Sequence, residues 1–286
     1  MDKILLINKD KGFTSRDIVN IVSIKYKTKK VGHFGTLDPL ATGLLVIGIG
    51  SLTKLDNFNL FDTKEYVCDC LVGLKTNTYD VTGNTLEVSD KKVNYDDLVN
   101  TLLSFKKTYL QEVPIYSAVK VNGRKLYDYA RNKEDVVLPK KEVTIFDISL
   151  LDLYEKDGEQ HFKFKALVSK GTYIRSLVND ISNSLNIPMC MNDLIRTKQG
   201  NFSLDDASTL EEFNANKERL LDISDILDLE EVVIPSSLEK YILSGNIISF
   251  QSLKDYVLFV LDDKTRVVLY KKIDDKKMKP CFFFKN

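Results

Sequence analysis

The sequence predicts an α+β fold: a mixed, largely antiparallel sheet flanked by helices, with a small β-rich module after it. Three patterns carry that expectation. Residues 64–74 alternate, so that Tyr66, Cys68, Cys70 and Val72 share one face of a strand. Residues 142–154 and 160–168 read as two strands turning at Asp157-Gly158, a hairpin signal. Helical stripes lie between the strands without a repeating strand–helix–strand unit, which fits a largely antiparallel sheet better than a doubly wound parallel one.

Taken in order, residues 3–8 form a buried strand. Ser15 stands where it can cap a helix running to about Tyr26, with Ile18, Ile21, Val22 and Tyr26 on one face. Leu44 to Ile49 is a second buried strand. Residues 95–105 read as a helix. So do 173–185, where Ile174, Leu177, Val178, Ile181 and Leu185 make an i, i+3, i+4 stripe. Val113 to Asn132 is an excursion: Pro114 and the Asn122-Gly123 turn bracket a short strand, and Lys125 to Arg131 is helical. Pro235 and the acidic stretch before it read as a linker. Beyond it, 247–250, 256–261, 266–271 and 281–284 are strand-like. The expected division is therefore 1–232 and 233–286.

Composition sets bounds on function. The 286 residues are 43% hydrophobic and 29% charged, as in a soluble protein with a sizeable core. The run Ile4 to Ile7 is too short for a signal peptide, and Leu40 to Ile49 is broken by glycines, so a cytoplasmic chain without membrane contact is expected. Cys68, Cys70, Cys190 and Cys281 form no C-x-x-C pair, and His33 and His161 lie far from them; no metal site and no disulfide framework is expected. With 41 basic and 41 acidic residues, broad affinity for nucleic acid is excluded but a local basic face is not. Lys25, Lys27, Lys29 and Lys30 form such a face just before the most informative loop, and lysines at 271–279 form another.

That loop is Gly32-His33-Phe34-Gly35-Thr36-Leu37-Asp38-Pro39-Leu40-Ala41-Thr42-Gly43. Pro39 fixes its own φ and pushes Asp38 towards extended geometry, so one carboxylate is displayed on a defined, non-helical backbone. A rigid loop of this kind suits a nucleophile or a general base.

The string resembles the active-site motif of the bacterial TruB-type tRNA pseudouridine synthases, G-H-x-G-x-L-D-P-x-A-x-G, at every fixed position. Further matches follow the family's order. Lys9 to Ser15 is similar to K-P-x-G-x-T-S, with Asp10 replacing proline. Lys64-Glu65-Tyr66 resembles K-x-Y, and Gly73 to Gly83 resembles G-x-x-T-x-T-x-D-x-x-G. Tyr116 to Gly123 is similar to Y-S-A-x-K-x-x-G, Ser169 to Arg175 to S-K-G-T-Y-I-R, and Leu194 to Thr197 to L-R-R-T, with Ile195 replacing the first arginine. Together these cover residues 4 to about 208.

The resemblance implies a pseudouridine-synthase-like sheet, with an RNA-binding insertion at about 110–140 and a PUA-like module at 233–286. For that module a purely stabilising appendage is the alternative. It implies conversion of the uridine at position 55, in the TΨC arm of tRNA, to pseudouridine. Asp38 would be the catalytic carboxylate, attacking the sugar C1′ or removing a neighbouring sugar proton. Arg175 would pair with it; Tyr66, Tyr173 and Leu194 would line the pocket of a flipped-out base, and His33 would take the space that base vacates. Asp80 and Lys120 are supporting positions. No cofactor, no obligate protein partner and a monomer are expected. A tRNA-binding or tRNA-folding protein with marginal catalysis is the competing reading, and a guide-RNA-dependent relative of the dyskerin type a third.

Overall fold

A computed structural model describes residues 1–58 and 60–284. The chain begins with β1 (Lys3–Lys9), α1 (Ser15–Lys25), β2 (Val31–His33) and β3 (Thr42–Ile49), followed by a 3-10 segment (Gly50–Phe58). Next come β4 (Thr63–Val72), β5 (Leu74–Thr76), β6 (Thr85–Val88), α2 (Tyr95–Ser104) and β7 (Thr108–Glu112). The excursion holds β8 (Lys120–Val121), β9 (Arg124–Lys125) and α3 (Leu126–Asn132). Then follow β10 (Lys140–Lys156), β11 (Glu159–Ser169), α4 (Ile174–Leu185), β12 (Met189–Gln199), β13 (Phe202–Ser203), α5 (Leu210–Asn214) and β14 (Leu220–Leu221). The last part comprises β15 (Leu229–Val233), α6 (Glu239–Leu243), β16 (Ile248–Ser249), β17 (Tyr256–Val260), β18 (Arg266–Asp274) and β19 (Lys277–Phe283).

Among the described residues ten strands make one sheet, in the order β14-β1-β3-β12-β4-β11-β10-β7, with β2 on β3 and β13 on β12. Its pairings are antiparallel except β3 with β12. The mixed, largely antiparallel sheet expected from the sequence is therefore present. The hairpin between β10 and β11 turns at Asp157 and Gly158, both at positive φ (54° and 84°), the twist that joins two antiparallel strands through two residues. Asn122 and Gly123 repeat this between β8 and β9, at 51° and 82°. Ile18 and Val22 of α1 and Leu177, Val178 and Ile181 of α4 are buried in one cluster with Ile7, Ile47, Cys68, Phe164 and Met191 of the sheet. No described helix is long and apolar enough to cross a membrane.

A second sheet, β15-β17-β18-β19-β16, closes the chain. Val257, Phe259, Val268 and Tyr270 face Ile242 and Ile248 on one side. Leu258, Val260, Leu269 and Phe282 face Ile4, Leu6 and Val46 of the large sheet, and Phe61 just before β4, on the other. Both faces are buried, which is why 257–260 reads as an unbroken apolar run.

Several boundaries depart from expectation. Ser15 is not the cap of α1. Thr14 is, accepting from the Asp17 N–H at 3.1 Å while the Asp17 carboxylate accepts from the Thr14 N–H at 2.8 Å. The strand expected over 64–74 stops at Gly73, whose φ of 93° only glycine adopts easily and where a Cβ would lie 2.5 Å from the Ser89 carbonyl oxygen. β12, a central strand, was not among the expected elements. β15 lies in the stretch read as a linker, so the second sheet starts upstream of Val233. Lys25, expected on an RNA-facing cluster, instead sits 2.7 Å from Glu218 and 3.9 Å above the ring of Phe213, joining α1 to α5.

Candidate active site

The loop between β2 and β3 is tied down along its length. The Ser15 hydroxyl, turned inward because Thr14 does the capping, accepts from the Leu37 N–H at 2.8 Å and donates to the Leu37 carbonyl at 3.1 Å. The Ala41 N–H donates to the Asp38 carbonyl at 3.1 Å, and the Gly12 N–H to the Pro39 carbonyl at 2.8 Å. The backbone on either side of Asp38 is thereby fixed, and its side chain is the free variable.

That side chain is 38% exposed, and one of its oxygens, Oδ2, accepts from Arg175 Nε at 2.8 Å. The other, Oδ1, accepts no hydrogen bond among the described residues. Arg175 sits in the first turn of α4 with its side chain only 7% exposed. Its remaining nitrogens donate to backbone carbonyls, Nη1 to Thr78 at 3.1 Å and Nη2 to Tyr116 at 3.0 Å. One buried guanidinium thus links α4, the catalytic-type loop, the turn after β5 and the start of the excursion. A planar fork satisfied on three sides holds a carboxylate in one orientation.

Asp80 completes the arrangement. Its Oδ1 accepts from the Thr78 hydroxyl at 2.8 Å, the Thr82 N–H at 2.9 Å and the Thr82 hydroxyl at 2.5 Å. Its Oδ2 lies 3.9 Å from Arg175 Nε. The turn that presents it bends at Tyr79, a non-glycine residue at φ 63°. Two carboxylates therefore face one guanidinium, and the nearer one is also the more open.

Tyr66 on β4 stands opposite Arg196 of β12, and Cys68 stands opposite Leu194, so Tyr66 and Leu194 share a sheet face. Both are buried in one apolar cluster with Leu37, Leu40 and Ile174, the residues flanking Asp38 and Arg175. Tyr66 is only 6% exposed. Tyr173 precedes α4, with its N–H donating to the buried Gln111 side chain at 2.8 Å; burial raises its phenol above the usual range. His33 begins the loop, its Nδ1 accepting from the Gly35 N–H at 3.3 Å. Burial first, then the charges of Arg196 and Arg16, lower its pKa. Lys120 is different: it lies exposed on β8, and its side chain makes no hydrogen bond or ion pair among the described residues.

Sequence reasoning missed Lys9, a wholly buried lysine. Its Nζ donates to the carbonyls of Phe13 at 2.8 Å and Asp10 at 3.0 Å. Burial lowers it to about 8, with the charge of Asp38 pulling the other way. The signal was available: a lysine that ends a strand whose central residues, Ile4 to Asn8, carry no charge. Ser15 was seen but given the wrong task. Among the described residues no three His, Cys, Asp or Glu side chains are grouped to hold a metal ion.

Comparison with known proteins adds an independent line. Residues 24–174 match the model of the TruB family pseudouridylate synthase (N terminal domain). The tRNA pseudouridine synthase B of Staphylococcus aureus strain MRSA252 is 39% identical over 281 residues, covering 93% of this chain and 92% of the relative. The protein of that name from strain Newman matches equally. Among solved structures, an H/ACA ribonucleoprotein bound to a substrate RNA containing 2'-deoxyuridine superposes with a TM-score of 0.66 at 18% identity, over 99% of this chain and 85% of that one. A Cbf5-Nop10-Gar1 complex gives 0.66 at 20% identity, over 98% and 83%. At these identities the structural likeness speaks for the fold.

Proposed function

The chain belongs to the TruB family of pseudouridylate synthases, and we propose that it isomerises uridine 55 in the TΨC arm of tRNA with Asp38 as the catalytic carboxylate. It is a tRNA pseudouridine synthase, an isomerase, as its 39%-identical relatives are named. The reaction breaks the C1′–N1 bond of the uridine, turns the uracil, and forms a C1′–C5 bond; the proton on C5 leaves and N1 gains one. Atoms and electrons balance within the substrate. What the protein must supply is an ionised carboxylate beside the sugar, a pocket that holds the detached base, and a way to extract the nucleotide from the arm.

The observation that carries the assignment is the asymmetry of the Asp38 carboxylate. One oxygen is held by Arg175 Nε at 2.8 Å, and the other accepts no hydrogen bond among the described residues, on a partly exposed side chain. The planar fork of Arg175 holds the carboxylate in one orientation, and its other oxygen can approach the ribose. Attack on C1′ and removal of the neighbouring sugar proton both start from that state. Asp80, already accepting three hydrogen bonds, serves as the second carboxylate that keeps Arg175 in place.

Tyr66, Leu194 and Tyr173 form the floor of the base pocket in this reading, and His33 fills the gap left in the RNA. The insertion of about 110–140 covers the RNA. Its support is a cationic and aromatic surface: Arg131 lies 5.2 Å over the half-buried Tyr127 ring, and the Lys120 side chain is exposed with no partner among the described residues. The second sheet is the PUA-like part, beginning with β15 and adding stability through the shared core. The enzyme works as a cytoplasmic monomer without cofactor or obligate protein partner.

A purified sample incubated with an unmodified tRNA transcript tests this. Pseudouridine should appear at position 55 without any other protein or guide RNA, and a transcript carrying cytidine there should remain unmodified. Modification that needs an added guide RNA or protein would overturn the stand-alone assignment.

A further inference from the structure

Arg196 is among the most deeply buried residues of the protein, 0% exposed, and no carboxylate pairs with it among the described residues. A buried guanidinium without a counter-charge is costly unless its N–H groups are satisfied. Here they are satisfied by the loop that displays Asp38. Nε donates to the Leu44 carbonyl at 2.7 Å, Nη2 to Gly35 at 3.0 Å, and Nη1 reaches towards Thr36 at 3.4 Å. Three residues along β12, Gln199, also 0% exposed, donates through Nε2 to the Phe34 carbonyl at 2.6 Å.

Residues three apart on a regular strand point to opposite faces. β12 is not regular there. Its register against β4 slips between Arg196 and Lys198, so that Arg196 stands opposite Tyr66 and Gln199 opposite Lys64. The bulge brings both polar side chains onto the face beneath the loop. Two glycines of the loop motif are fitted to this strand. A Cβ on Gly35 would lie 3.3 Å from both Arg196 Nη1 and Gln199 Nε2. A Cβ on Gly43, at φ 99°, would lie 2.4 Å from the Arg196 carbonyl oxygen, where β3 and β12 pair in parallel.

We propose that Arg196, seconded by Gln199, is a positioning residue of the reaction: it bolts the carbonyls of residues 34–36 and 44 to the bulged strand and so fixes where Asp38 meets the ribose. The proposal rests on Asp38 being the catalytic carboxylate. Arg196 acts on the backbone at both ends of the loop, whereas Arg175 acts on the carboxylate itself. The two guanidinium groups divide the task, one setting the position of the residue and the other its orientation.

The test measures single-turnover pseudouridine formation at saturating tRNA, tRNA affinity and the thermal midpoint for Arg196→Lys and Gln199→Met. Lysine can reach one of the three carbonyls, and methionine keeps the volume of Gln199 but loses its donor. Misplacing a reacting group by about 1 Å can cost on the order of 100-fold, the loss expected for Arg196→Lys, with about 10-fold for Gln199→Met. Affinity for tRNA should stay within about twofold of wild type, because the Asp38 carboxylate acts after binding. Phe259→Leu, in the interior of the second sheet, provides a destabilised control that keeps the wild-type rate while folded. Gln199→Met decides alone if Arg196→Lys does not fold. Wild-type rates in the folded variants, or losses confined to affinity, would overturn the proposal. Asp38→Asn is run beside them: if it still turns over, the catalytic assignment itself has failed; if it is dead while Gln199→Met runs at the wild-type rate, the bolt alone has failed.

Discussion

Asp38 and Arg175 are 137 positions apart in sequence and 2.8 Å apart in space. Each was legible because it lies in an uninterrupted motif whose residue types suit the chemistry. Their neighbours were less so. Thr14 and Ser15 are adjacent hydroxyls, and only the fold shows that the first caps α1 while the second grips Leu37. The Arg175 partners Thr78 and Tyr116 contribute carbonyl oxygens, and backbone acceptors leave no trace in residue type. The geometry predicts that Arg175→Lys retains charge but loses the fork that binds Asp38 and two carbonyls at once. Its kcat should fall by on the order of 100-fold with little change in tRNA affinity. Steady-state kinetics with a tRNA transcript check this, and a near-normal kcat would mean the pair does not serve catalysis.

Strands with period-2 burial and helices with one apolar stripe were found close to their true ends. β12 was not, because two register slips break its alternation and place Arg196 and Gln199 in the interior. Polarity at those positions reads as surface until the bulge is known. The lysines after α1 show the converse. As a charge run, Lys25, Lys27, Lys29 and Lys30 looked uniform, but Lys25 is tied to Glu218 and Phe213 while Lys29, Lys30 and Lys54 line an open cleft beside Phe283. Each phosphate contact contributes a slope of roughly −0.7 to −0.9 in log K against log salt. Replacing Lys29 and Lys30 by glutamine should therefore flatten the slope for tRNA binding by about one to two units, without changing the uridine modified. Lys25→Gln should lower the thermal midpoint and leave the slope alone. Filter binding across a salt series separates the two.

The two largest sheets among the described residues share a core, which sequence analysis did not foresee. β15 is acidic at Glu230 and Glu231 and was read as linker, although it pairs in parallel with β17. Parallel pairing leaves no hairpin signal, and the contact between sheets is made by residues more than 200 positions apart, such as Leu6 and Leu269. Asp222 spans the junction, 2.7 Å from Lys3 of β1 and paired with Arg266 of β18. Burial opposes its ionisation, but the hydrogen bonds from Arg266 and Lys3 win and hold the carboxyl at about 2, against a usual 3.8. A depressed carboxylate stabilises the folded state above its unfolded pKa, and that contribution is lost as pH falls from about 4 to about 2. Asp222→Asn should lower the thermal midpoint at neutral pH and flatten its decline across that window. An unchanged profile would show that this bridge does not couple the sheets.

The central claim is that the carboxylate of Asp38 performs the isomerisation, and purified Asp38→Asn addresses it most directly. The amide keeps the shape of the side chain but loses the charge, the basicity and the nucleophilicity. Single-turnover incubation with excess enzyme over an unmodified tRNA transcript should give no pseudouridine at position 55, while the variant binds the same transcript about as tightly as wild type. Pseudouridine formed at a measurable fraction of the wild-type rate would contradict the account.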